Sequence, residues 1–260
     1  ENFIDLFLHG LKLKSYELSA AYLLRTTSSG ILSTISKAYK GYPFGSYVTY
    51  ITGPDRSIYI YASTLAQHTK NLFKDSKACL TLSREKINDD KQNSQRLTLM
   101  GDLEPVHDDE KEYVRQRFHI FLPESKKYSK MHDFDFYKLS LVKIRWIGGF
   151  GEIAWLKNKD WKPIQPKWVK DEKHMIEHMN EDHSNVIYSS LKAQHGIADK
   201  KSKMIALSID GYFKKSRNKI YFIEFKGVCL NAKGYRDMLI QQANTVSYTH
   251  LRAHETHIDL

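Results

Sequence analysis

Apolar and polar positions along the first 160 residues alternate in short runs, each bounded by turn residues. Ile31–Ser36, Tyr47–Thr52, Ile58–Ala62, Ala78–Ser83, Arg96–Leu103, Phe136–Ile147 and Ile153–Leu156 are rich in β-branched and aromatic residues and read as strands. Gly41-Tyr-Pro-Phe-Gly45 and Gly53-Pro54-Asp55 supply turns between them. Helical spacing is confined to Ser15–Thr27, ended by Gly30, to Leu65–Phe73, and to Asp108–Phe121, which starts acidic and is closed by Pro123. Asn88–Ser94 is a polar loop. Hairpin-linked strands with only short helices between them predict a small antiparallel barrel, not a doubly wound sheet.

Beyond this run the pattern changes. Trp161–Lys170, with Pro163 and Pro166, reads as a linker. Glu172–Leu191 predicts one helix with Met175, Ile176, Met179, Val186, Ile187 and Leu191 inward, ended by Gly196. Met204–Ile209 and Ile220–Phe225 predict a hairpin, and Ala232–Ala243 a last helix. The expected organisation is α+β: a barrel over 1–160, a linker over 161–170 and a small α-β-β-α unit over 171–245. Val246–Thr256 resembles the conceptual translation of a sequencing adapter, so 246–260 is expected to be a scar that truncates the natural C-terminus.

Composition narrows the class. Hydrophobic residues make up 41% and charged ones 27% of 260, which excludes a disordered chain. The formal net charge is +10, but acidic residues accompany the basic ones in most segments, so a solvated basic surface is expected and no nucleic-acid partner. Cys79 and Cys229 lack metal-type spacing and suggest reduced thiols in a cytoplasmic protein. Phe3–Leu11 has no basic stretch before it and does not read as a signal peptide, the first residue is not Met, and no apolar run is long enough to predict a membrane partner.

Candidate chemistry gathers at five places. The end of the third strand opens a helix, where Ser63 and Thr64 can cap it, and its start, with His68 and Lys70 further in, suits an anion. Arg96, on an otherwise apolar strand, can hold a carboxylate or phosphate bidentately. Gly148-Gly149-Phe150-Gly151 permits close approach of a flat ligand to the backbone, or is simply a turn. His132-Asp133 pairs an imidazole with a carboxylate. His174, His178 and Asp182 lie four apart on one helical face with His183 beyond, out of register for a His-Glu-x-x-His zinc motif. That face is read as polar surface, with a single histidine serving as an iron ligand as a separate possibility. The sequence contains no Gly-x-Gly-x-x-Gly, P-loop or nucleophile elbow.

The order of these motifs resembles a known family. Leu23-Leu24-Arg25, Gly30-Ile-Leu-Ser-Thr34, Pro43-Phe-Gly-Ser46, Ser63–Leu72, Arg96–Gly101, Asp133-Phe134, Gly148–Gly151 and His178-Met-Asn-Glu-Asp-His183 are similar to the HugZ/HutZ haem-utilisation branch of the pyridoxamine phosphate oxidase-like, FMN-binding split-barrel superfamily. The resemblance implies an antiparallel split β-barrel with an accessory α/β domain, a homodimer with the ligand at the subunit interface, and oxidative haem degradation with iron release. It implies Arg96 beside the macrocycle, His174 on the iron, and Asp133 bonded to that histidine or to an iron-bound water. Gln67-His68 stands where flavin-binding members place Arg-Lys, which weakens the alternative of an FMN oxidoreductase with its phosphate at Ser63, Thr64 and Arg96. A non-enzymatic haem carrier is the third reading.

Overall fold

The computed structural model describes residues 3–85, 90–161 and 165–255, without the side chains of 3–11, Asp160 and 244–255. Contacts divide the chain between Pro163 and Ile164 into two units.

In the first unit α1 (Phe3–Thr26) leads into β1 (Ser29–Ile35), β2 (Pro43–Thr52), β3 (Ile58–Ser63), α2 (Gln67–Leu72), β4 (Lys77–Arg84), β5 (Gln95–Pro105), α3 (Asp108–Phe121), β6 (Phe134–Gly149), β7 (Glu152–Leu156) and α4 (Asn158–Trp161). The sheet runs β3-β2-β1-β4-β5-β6-β7, and a further β3–β6 pairing closes the first six strands into an antiparallel barrel. β6 makes this possible by its 16-residue length: its start pairs with β3, its middle with β5 and its end with β7. Alternation points Leu32, Leu80, Leu82, Leu97, Leu99, Ile144 and Trp146 into the core, where α1 adds Ala20, Leu23 and Leu24.

Buried arginines fix the chain at the β2–β3 turn. Arg25 donates to the carbonyls of Gly53 (2.6 Å) and Pro54 (2.9 Å). Arg56, 1% exposed, donates to Glu17 (2.6 Å) and to the Trp161 carbonyl (3.1 Å) and lies over the Trp161 ring.

The second unit carries α5 (Glu172–Asp182), α6 (Ser184–His195), β8 (Lys203–Ser208), β9 (Gly211–Ser216), β10 (Lys219–Glu224) and α7 (Ala232–Glu255), with sheet order β10-β9-β8. Each edge strand is capped by a side-chain amide acting as a false strand. Asn180 exchanges two hydrogen bonds with the backbone of Met204 (2.9 and 2.8 Å). Gln194 does the same with Glu224 (2.9 and 2.9 Å).

Several sequence expectations change. The accessory unit is α-α-β-β-β-α, not α-β-β-α: His183, at φ −126 and ψ 30, breaks the long helix, and β9 lies between the two expected strands. β9 escapes periodicity because it is central and buried, and one of its two lysines, Lys214, is fully enclosed. α1 begins well before Ser15, and Gly30 lies inside β1, where a Cβ would sit 2.6 Å from Leu82. The turn expected over 41–45 ends at Tyr42, since Pro43 already opens β2. The linker over 161–170 is not free chain at its ends, for Trp161 is buried in the barrel core and Trp168 in the second core. Pro163 and the tail beyond Glu255 lie outside the described residues, and the 246–255 part of the expected scar continues α7.

Candidate functional site

The corner between β3 and α2 is built by Asp133. Ser63 Oγ donates to the Asp133 carboxylate (2.5 Å) and accepts from the Leu65 amide (3.0 Å), and the Thr64 amide donates to the Asp133 carbonyl (2.6 Å). Ser63 and Thr64 therefore do not cap α2; its N-cap is Ala66, with no side-chain cap bond. Of the donors expected to meet an anion, the Ser63 hydroxyl and the Thr64 amide are spent on holding this corner together. Lys70 is exposed. His68 is half-buried, its Nε2 has no partner among the described residues, and burial pushes its imidazole pKa down.

Asn71 docks α2 onto the barrel. Its Oδ1 accepts from the Lys37 amide and the Gln67 side chain (both 2.9 Å), and its Nδ2 donates to Thr34 Oγ1 (3.0 Å). Sequence reasoning passed over this fully buried amide; the signal was a polar residue beside Leu72 on the face of α2 that must pack.

Arg96 points the other way, onto the outer face of the sheet. Register aligns Tyr47, Ile31, Thr81, Thr98, Arg145 and Trp155 in one row across six strands. The next rows carry Met100 with Lys143, and Arg96 with Ile147 and Ile153. Tyr47 is 73% exposed, Ile153 54%, Trp155 53%, Ile31 47% and Met100 41%. Arg145 lies over the Trp155 ring. These rows hold three cationic side chains and no carboxylate. This sheet face exposes large apolar side chains with cations among them. Cys79 opposite Met100 is half-buried, and burial pushes its thiol pKa up, so it is not a ready thiolate ligand.

Beside Arg96 the glycine-rich segment forms a raised tip. Gly148 and Gly149 end β6, Gly149 and Gly151 take positive φ (155 and 77), and Phe150 between them is 69% exposed. Asn93, from a 3-10 turn over Lys91–Asn93, accepts the Phe150 amide at 2.9 Å, while Arg96 Nη2 donates to the Gln92 carbonyl at 2.8 Å. The fold thus joins Arg96, Gly149, Phe150 and Gly151, and separately Ser63, Thr64 and Asp133. It does not join the two groups within one barrel. Thr34, which α2 touches, is opposite Ala78, whereas Arg96 is opposite Ser83, five residues along β4, or ~16 Å.

His174 belongs to the second unit, exposed in the first turn of α5. Further along that helix His178 Nδ1 meets Asp182 at 2.8 Å, and its ring stands edge-on to His183 at 4.9 Å. Among the described residues no three or more His, Cys, Asp or Glu side chains converge on a metal position.

The family model for the CREG β-barrel matches residues 13–163. The chain belongs to the CREG β-barrel family. As a CREG-type chain it is 29% identical over 180 residues to the chloroplastic non-canonical heme oxygenase HOZ of Arabidopsis thaliana, covering 65% of this chain and 54% of that protein. It therefore spans about half the length of this curated relative. Its backbone is similar to that of an Agrobacterium tumefaciens protein of unknown function (TM-score 0.71, 19% identity, 88% of this chain and 95% of that one). It is also similar to the heme binding protein of Mycobacterium smegmatis (TM-score 0.53, 20% identity, 90% and 98%). The CREG-type barrel is thus the split β-barrel expected from the motif order. Among the described residues no helix is long and apolar enough to cross a membrane.

Proposed function

We propose that this CREG-type barrel binds haem in a groove between two copies, and that it degrades the haem oxidatively to release iron. The observation that carries this reading is the outer face: aromatic and aliphatic side chains in register, with Arg96, Arg145 and Lys143 among them and no carboxylate in those rows among the described residues. Two such faces brought together gain apolar burial but set cations against cations. A planar ligand with an apolar body and carboxylate edges satisfies both requirements, and haem is such a molecule. The name of the Arabidopsis relative supports the same ligand and the oxidative step.

The residues present fit haem on one test internal to the structure. Arg96, half-buried beside Ile147 and Ile153 and bonded through Nη2 to the Gln92 carbonyl, sets a cation among apolar side chains, as a carboxylate-edged apolar ligand requires. Bound haem would supply the redox-active iron and its oxygen chemistry. Arg96 would hold a propionate and the apolar rows would exclude water; His174, the iron ligand that the resemblance implies, belongs to the other unit and is tested by substitution. An FMN phosphate fits the β3–α2 corner poorly, because Ser63 and Thr64 already donate to Asp133 and Gln67 is bound to Asn71.

Titration of the purified protein with haemin tests the reading. A Soret band that saturates at a fixed stoichiometry on a dimeric species, weakened in Arg96→Ala and shifted in His174→Ala, is expected. Ascorbate and oxygen should then yield a ring-opened bile pigment with chelatable iron. Saturable binding without pigment leaves a carrier and removes the enzymatic step. Absence of any spectral change removes haem altogether, and a stoichiometric flavin spectrum would put FMN in its place.

A further inference from the structure

We infer that Asn93 is a positioning residue that sets Phe150 against the face of the planar ligand whose carboxylate Arg96 holds. This rests on the haem reading above and deepens it, since it assigns the two contacts to one bracket of chain.

The bracket is built as follows. Asp90 accepts the Gln92 amide through its side chain (2.9 Å) and the Asn93 amide through its carbonyl (2.9 Å), which folds 90–93 into a single tight turn. From that turn the Gln92 carbonyl accepts Arg96 Nη2 (2.8 Å), and Asn93 Oδ1 accepts the Phe150 amide (2.9 Å). One short turn therefore grips the cationic side chain of β5 and the aromatic tip that follows β6. Arg96 and Ile147 are direct cross-strand partners, and Phe150 follows three residues after Ile147, just past the end of β6, so the cation and the aromatic tip sit at the same end of the β5–β6 ladder.

Two features distinguish the tip from an ordinary turn. At Gly149 a Cβ would stand 2.5 Å from Asn93 Oδ1, so the glycine is what lets Asn93 reach the Phe150 amide. Phe150, held this firmly by its backbone, nevertheless leaves 69% of its surface in solvent. A large apolar ring presented from a pinned backbone is prepaid for stacking, because its main-chain ordering does not have to be supplied by the ligand. The ligand class is a planar, conjugated carboxylate, and the metal is not needed for this contact.

The test uses the full chain with haemin and, separately, metal-free protoporphyrin IX, followed by absorbance and by quenching of porphyrin fluorescence. Phe150→Ala and Asn93→Ala should each weaken protoporphyrin binding about tenfold. The double variant should bind no worse than either single one, because Asn93 acts through Phe150. Asn93→Asp, which keeps the accepting oxygen, should recover most of the affinity for a tip that is only being held in place. Wild-type affinity in Phe150→Ala overturns the inference while leaving haem binding intact, and so do fully additive losses. Phe150 is exposed, so its alanine variant remains informative even where Asn93→Ala loses the turn. Failure of the wild type to bind either porphyrin removes both the inference and the function it rests on.

Discussion

Lys214 sits at the middle of β9 with no exposed surface, and its Nζ has no hydrogen-bond partner among the described residues. Burial lowers the amine pKa from 10.5 to about 7, with Asp199 opposing only in part. The unfolded chain keeps its proton up to 10.5, whereas the folded chain gives it up near 7. Folding at neutral pH therefore expels a proton, and the second unit should gain stability as pH rises from 7 towards 10.5. Integrating over the lower part of that window gives a gain of about 2 kcal/mol between pH 7 and pH 9, and a standing cost of about 4 kcal/mol at pH 7. Both figures are upper bounds, since relaxation around the amine reduces them. Above pH 9 the buried Cys229 thiol, raised to about 11, works in the opposite direction, because only the unfolded chain ionises it there. The comparison therefore belongs below pH 9. Lys214→Met keeps the length of the side chain and removes the titration. Urea unfolding of both proteins at pH 7, 8 and 9 should show the variant more stable at pH 7 by roughly 2–4 kcal/mol, with the difference shrinking as pH rises. A variant that is less stable than the wild type at every pH, by a constant amount, would mean that the amine is charged and partnered.

Other consequences can be measured directly. Glu17→Ala leaves the guanidinium of Arg56 buried without its carboxylate and should cost the barrel about 3 kcal/mol in urea, whereas Glu17→Gln should cost less. Trp155→Glu places a carboxylate in the outer row, and sedimentation velocity should report a monomer with an unchanged far-UV circular dichroism spectrum; a persistent dimer would refute that interface. Asn180→Ala or Gln194→Ala uncovers an edge of the three-stranded sheet, and light scattering on warming should begin several degrees earlier than in the wild type.

What the sequence reveals depends on whether a residue acts through its immediate neighbours or through distant ones. Asp108–Phe121 is recovered to the residue because its start, its stop and its apolar face are all local. The barrel strands are found for the same reason, through alternation and turns. The middle strand of the second unit, β9, is missed because a central strand with a buried lysine has no alternation to display. Asn71, Asn93 and Asn180 are missed because an amide that completes a distant backbone looks like any other polar residue in the chain. Arg96 was identifiable as an unusual charge on an apolar strand, but its place on the outer face follows only from register.

Register also decides between the two anion positions that the sequence offered. The β3–α2 corner has the Ser63 hydroxyl and the Thr64 amide committed to Asp133, a residue 70 positions from Ser63 that the barrel brings back through the β3–β6 pairing. An anion arriving there would have to break those bonds, and Gln67-His68 offers no fixed charge in return. At Arg96 the balance is different: Nη2 is bonded to a backbone carbonyl, and two more cations, Arg145 and Lys143, share its face. Thr34, which α2 touches, and Arg96 are offset by five residues along β4, ~16 Å along that strand. A phosphate-anchored flavin needs the corner, and a dicarboxylic macrocycle needs the face. The contrast between a corner whose serine is committed and a face that carries three cations is the ground on which the proposed haem reading rests. Asp133→Asn separates the two positions experimentally: it should loosen the β3–α2 corner, lowering thermal stability, while leaving porphyrin affinity at Arg96 within a factor of about two.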